Sequence, residues 1–166
     1  MNIFYLHSDP NKAAKYQYNK HVVKMILESA QMLCTAHHLL DPCNSDDIPY
    51  KVAHKNHPST IWVRQSAPHY LWLYFHMMEL GNEYYKRYGK KHLTITKCED
   101  ILKRYPGGIF NVGFSEPPQC MPDQYKSNSA IHAYWQYYIA EKSNVAGALD
   151  NIYTTIPTEV TDLYNS

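Results

Sequence analysis

The sequence predicts a mainly α fold: one helical domain over residues 1–166, a bundle of three long helices with several short ones and an irregular Pro/Gly-rich loop. Three observations predict it. Apolar residues recur with helical period over long stretches, capping residues and Pro stand where those stretches begin, and Gly or Pro-Gly stands where they stop. The length of 166 residues, with 45% hydrophobic and 14% aromatic content, supplies one core without staples.

The elements follow in order. MNIFYLH reads as a short strand or an extended segment laid on the core, ended by Ser8-Asp9-Pro10, where Asp9 or Ser8 caps a helix with Pro10 in its first turn. Helical period then runs to Leu40, with a break near Tyr18-Asn19, and Asp41-Pro42 through Asp47 form a polar loop. A short helix starts after His57-Pro58. Ser66 caps a long helix with Pro68 in its first turn, running through Tyr88 and stopping at Gly89. Thr96 to Tyr105 reads as a further short helix stopped by Pro106-Gly107-Gly108. Residues 106 to 122 hold four prolines and three glycines and form an irregular crossing loop. Ser127 or Ser129 starts the last long helix, which ends near Lys142. The tail over 146–166 is β-branched and polar and takes no assignment.

Charge and motifs exclude several classes. Sixteen Lys and Arg against fifteen Asp and Glu give +1, so phosphate recognition must be local. With no apolar run long enough for a leader or a membrane span, the expectation is a cytoplasmic protein without a membrane partner. Cys34, Cys43, Cys98 and Cys120 lack CxxC or zinc-knuckle spacing and read as free thiols. His76 and Glu79 stand one turn apart, but HExxH and inward Glu-x-x-His pairs are missing, so neither metal nor cofactor is expected. A nucleophile elbow and a phosphate-cradling Gly loop are missing too.

Two polar bands carry the candidate chemistry. On the first long helix His21, Lys24, Glu28, Gln31, Thr35 and His38 share a narrow band about a third of the circumference wide, with apolar residues around the rest. On the second, His69, Trp72, His76, Glu79, Glu83 and Arg87 do the same. If the bands face each other they enclose a polar, aromatic-edged site; the bland alternative is a thin solvent seam and exposed i,i+4 pairs. Between them, His54, Lys55, His57 and Arg64 surround a helix start at Ser59-Thr60, which suits an anion or is ordinary surface chemistry. Lys86, Arg87, Lys90, Lys91 and His92 beside Tyr84, Tyr85 and Tyr88 could dock a nucleotide or merely serve the helix C-terminus. Tyr134, Trp135, Tyr137 and Tyr138 crowd the last helix, and Tyr134 joins the ligand-binding candidates with Lys126.

The segments YNKHVVKMILESAQML, HKNHPSTIWVRQS with YLWLYF and NEYYKRYGKKH, and MPDQYK with AYWQYYIAEK resemble a family of small proteins of tailed phages, mostly of unassigned activity. A more distant similarity is to the pyrimidine-dimer DNA glycosylases of phage, small all-α enzymes with a His ahead of a segment ending in a catalytic Glu. His21 and Glu28 hold comparable places here, and NEYYKRYG resembles the end of those enzymes' long helix. That resemblance implies an α-amine nucleophile, exposed after Met removal, that attacks the sugar, and a Glu that stabilises the imine. The chain departs from the pattern at Met1-Asn2, where a small second residue is expected, and at Leu27, where an arginine is expected.

Three functions fit these residues. The first is a phage protein that binds a small phosphorylated nucleotide through His21, Lys24, His57 and Arg64, with Tyr or Trp stacking, and sequesters a host immune signal. The alternative is a DNA glycosylase-lyase with Glu28 catalytic and DNA as partner. The third is an interaction protein using its tyrosine-rich surface. A pocket shared across a homodimer is compatible with the first.

Overall fold

The computed structural model describes residues 1–142, so the unassigned 146–166 tail lies outside the described residues. Six α-helices follow one another: α1 (Pro10–Lys15), α2 (Asn19–Leu40), α3 (Pro58–Gln65), α4 (Ala67–Tyr88), α5 (Leu93–Cys98) and α6 (Ala130–Tyr137). The third long helix predicted from the sequence is α6 continued by a π turn over Tyr138–Lys142. Single 3-10 turns cover Pro42–Asn44 and Asp123–Tyr125.

The helix ends follow capping chemistry. Asp9 accepts from the Asn11 N–H at 2.8 Å to start α1, and Ser129 accepts from the His132 N–H at 3.3 Å to start α6. Gly89, at φ +69°, closes α4 in the left-handed region, its N–H bonded to the Tyr85 carbonyl. Ser66 precedes α4 as expected but does not cap it: its hydroxyl donates to the Gly113 carbonyl at 2.7 Å. The Ala67 N–H is bonded instead to the Phe110 carbonyl.

The short helix expected over 96–105 is displaced. It starts at Leu93 because the His92 Nδ1 caps it, accepting from the Thr94 N–H at 3.2 Å. Past Cys98 only one more turn forms, closed by the Leu102 N–H on the Cys98 carbonyl. Tyrosine hydroxyls from α4 have taken the next carbonyls: Tyr74 donates to Glu99 at 2.7 Å and Tyr70 to Leu102 at 2.9 Å. Side-chain donors thus replace the helical ladder.

Helices α2 and α4 form the centre, with α1 on α4, α3 against both, and α5 across α2 and α4. Gly81 lets α5 approach, since a Cβ there would meet Ile95 at 2.7 Å. His37 of α2 bonds the Tyr70 hydroxyl of α4 at 2.8 Å. The tyrosines serve this core more than any cavity: Tyr5, Tyr18, Tyr70, Tyr134 and Tyr138 are among its largest fully buried side chains. Among the described residues there is no strand. The opening segment is irregular and buried over Ile3–Leu6, with Phe4 in the left-handed region and the Leu6 N–H turned back to the Phe4 carbonyl, and several of its carbonyls are met by side chains. Trp135 donates to Leu6 at 2.8 Å, Trp72 to Ser8 at 2.7 Å and Gln17 to Ile3 at 3.3 Å.

Candidate active site

The opening segment also decides what the two polar bands meet. On α4, His69 donates through Nδ1 to the Trp62 carbonyl and accepts through Nε2 from the Ser115 N–H at 2.9 Å. Trp72 reaches Ser8, and His76 donates to the Pro10 carbonyl at 3.1 Å while accepting from the Gln17 amide at 3.0 Å. Glu79 accepts from Asn11, and Arg87 is bonded to Gln17, Asn19, Lys15 and Glu83. The α4 band therefore closes on residues 8–19 and the 115 loop. The α2 band turns elsewhere: Thr35 to Ala53, His38 to the Tyr50 carbonyl, His21 to Tyr138, and Glu28 to Met1. The enclosed hollow between two facing bands, on which the nucleotide-binding expectation depends, is occupied by the protein's own N-terminal chain.

Around Glu28 the arrangement is different in kind. Asn2 folds the first residues into a turn, its Oδ1 accepting from the Ile3 N–H at 2.8 Å and the Phe4 N–H at 3.2 Å. Its Nδ2 donates to the Cys120 carbonyl at 2.9 Å. Phe4, at φ +53°, takes up the left-handed region and lays its ring on His21, centroids 4.3 Å apart. The result places the Met1 α-amine 3.8 Å from Glu28 Oε2, with the Met1 and Glu28 side chains only 2% and 14% exposed. Lys24, one turn earlier, pairs with Glu28 Oε1 at 3.2 Å from an exposed position.

Histidines flank this pair. His57 caps α3, its Nδ1 accepting from the Ser59 N–H at 3.2 Å. Burial lowers its pKa first, the positive charges of the terminal amine and His54 lower it further, and Glu28 pulls the other way. Burial, then Lys142 and Lys24, push His21 down to about 4. His54, at φ +46°, is exposed and lines an open depression of about 580 Å³ with Lys55 and His57. A second, about 530 Å³, lies between His57, Cys120 and Lys126, where Lys126 also pairs with Asp123 at 2.7 Å.

The structure thus gathers His21, Lys24, Glu28, His54, His57 and Lys126 about the N-terminus. It does not bring His69, Trp72 or His76 there, and Arg64 bonds the Thr60 carbonyl of its own helix. Tyr134 is buried behind the site, donating to the Pro118 carbonyl at 2.6 Å.

Pairing of an α-amine with a carboxylate on the third turn of a long helix is the feature on which a family can be tested. The family model described as pyrimidine dimer DNA glycosylase matches residues 1–96. The chain belongs to the pyrimidine dimer DNA glycosylase family. No curated protein and no solved structure matches it. The matched stretch runs from Met1 into α5 and carries Met1, His21, Lys24, Glu28, His54 and His57, while the crossing loop and α6 lie beyond it. Membership favours the glycosylase alternative over nucleotide sequestration, for which neither the family nor the geometry gives support. Among the described residues no group of three His, Cys, Asp or Glu could hold a metal, and no helix is long and apolar enough to cross a membrane.

Sequence reasoning passed over Asn2 and Cys120 as site components. A terminal amine belongs to no periodic pattern, and the Asn2–Cys120 bond spans 118 positions. The Asn2 turn was the one local signal available.

Proposed function

We propose that the protein is a DNA glycosylase acting on damaged pyrimidines, with the Met1 α-amine as nucleophile and Glu28 as the carboxylate that handles its proton and charge. The supporting observation is the 3.8 Å approach of the amine to Glu28 in a sheltered position, inside a family defined by this activity. Transfer of one proton from the terminal ammonium to Glu28 frees the nitrogen lone pair. The nucleotide reaches it only when swung out of the helix stack. The amine nitrogen then bonds to C1′ as the glycosidic bond breaks, and that electron pair leaves on the base, which takes up the proton that the now positively charged nitrogen releases. The new secondary amine pushes open the sugar ring, the ring oxygen accepting the proton from Glu28 and the nitrogen becoming an iminium. The Glu28 carboxylate, now ionised again, faces that positive charge. Lys24, Lys55 and Lys126 supply cations for phosphates on either side.

The test is borohydride capture. Hydride reduces the iminium to a stable amine, so incubation with ultraviolet-irradiated or abasic DNA should yield a covalent adduct on the N-terminal peptide, identified by mass. Glu28→Gln should lower its rate by about 10²- to 10⁴-fold. Absence of any adduct, or equal capture by Glu28→Gln, overturns the proposal.

A further inference from the structure

From the candidate site a continuous groove runs along α3. Adjoining depressions share walls: His57, Pro58 and Pro118 near the site, then Trp62, Gln65 and Ser115, then Val112 and Phe114 at the far end. α3 has eight residues, so the groove is about 12 Å long, the rise of three to four nucleotides of one strand at about 3.4 Å each.

The far end is an unusual loop. Its backbone is clamped to the α3–α4 junction: Ser66 donates to the Gly113 carbonyl and accepts from the Val112 N–H at 3.2 Å, and Ala67 donates to the Phe110 carbonyl. Below that, His69 accepts from the Ser115 N–H, and Trp62 donates to the Ser115 carbonyl at 3.0 Å. Phe114 roots the loop, edge-on to Trp62 and His69. Yet Phe110 and Val112 project from this fixed backbone, 75% and 74% exposed. Large apolar side chains held rigidly in water mark a contact surface.

We propose that this groove and loop hold the DNA strand flanking the reacting nucleotide, with Phe110 and Val112 packing against its bases. The inference rests on the glycosylase reading and extends it to residues outside the family match. Continuity names the occupant: the groove opens at His57, within the cluster that must receive the reacting sugar, so a strand entering there has α3 as its track. Cations stand at that end, Lys126 and Lys55, and among the described residues Lys55 is in no ion pair. Glu116, the carboxylate on the groove wall, accepts from the Ala130 N–H at 2.9 Å. Beyond the cations, apolar contacts replace phosphate contacts, as stacking surfaces do for single strands.

The experiment measures binding of the full chain to duplexes carrying a tetrahydrofuran abasic analogue, which cannot react, with either eight or two nucleotides flanking the analogue on each side. Wild type should bind the long duplex at least tenfold tighter than the short one. The double variant Phe110→Ala/Val112→Ala should keep its melting temperature and lose that difference. Ser66→Ala, which releases the loop but keeps both apolar side chains, should reduce it in part. Equal preference in wild type and double variant overturns the proposal. So does a wild-type dimer that the double variant abolishes with DNA binding unchanged, which would make the loop a contact between two copies. Borohydride capture by wild type separates the two ideas: no adduct defeats the glycosylase reading, while an adduct with an unaltered flank preference defeats the strand track alone.

Discussion

Helices α2 and α4 are equally long, and each carries a narrow band of His and Glu, yet the bands part company at Glu28. On α4 nearly every polar atom ends on a backbone carbonyl or a fixed side chain of the N-terminal segment or the crossing loop. On α2 His21, Thr35 and His38 are bonded in the same way, but Glu28 is not: its partners are the terminal amine and a solvent-exposed lysine. Hydrogen bonding to the chain itself marks the structural residues of both bands, and on the proposed reading the sheltered ionic contact of Glu28 marks the chemical one.

Exchanging a carboxylate or its partner in each band sharpens the contrast. Glu28→Gln should cost two to four orders of magnitude in adduct formation with the thermal midpoint nearly unchanged. Arg87→Met should do the reverse. Its side chain is fully buried and its loss leaves Glu83 only the half-exposed Lys86 at 3.8 Å, so a denaturant titration should show about 3 kcal/mol of destabilisation, with adduct formation per folded molecule preserved. A shared loss of activity and stability in either variant would break the distinction.

Acid should separate the bands less sharply. Burial holds His21 and His76 neutral with pKa pushed down to about 4, against about 6.5 in the unfolded chain. Between those values the unfolded chain binds more protons. Stability is therefore full above about pH 6.5, falls as pH drops toward 4, and levels below it, by on the order of 3 kcal/mol for each histidine. Unfolding curves at pH 7, 5.5 and 4 check this, and His76→Gln should flatten the slope. The smallest effect belongs to Lys24→Ala. Its exposed pair with Glu28 should contribute under about 1 kcal/mol to stability, while DNA binding at low salt weakens several-fold.

Much of the fold was legible because its punctuation is local. Pro10, Pro58, Pro68 and Gly89 mark helix ends where the chain indeed turns. The start of α5 was not, because His92 caps it and histidine is outside the usual capping set; His57 does the same for α3. Glu28 was visible through the family resemblance and the narrowness of its band. What the bands face was hidden, since an amphipathic pattern says a side is polar without saying whether water, a ligand or a carbonyl satisfies it. Here the answer is mostly carbonyls: Ser8, Pro10, Gln17, Tyr50, Ala53 and Trp62.

The bonds from Asn2 to Cys120 and from Leu6 to Trp135 carry a timing consequence. A ribosome makes the opening segment first and its anchors last, so on the proposed reading a growing chain carries its amine long before anything can aim it. The amine can be aimed only once the distal indole and the cysteine carbonyl have emerged and docked.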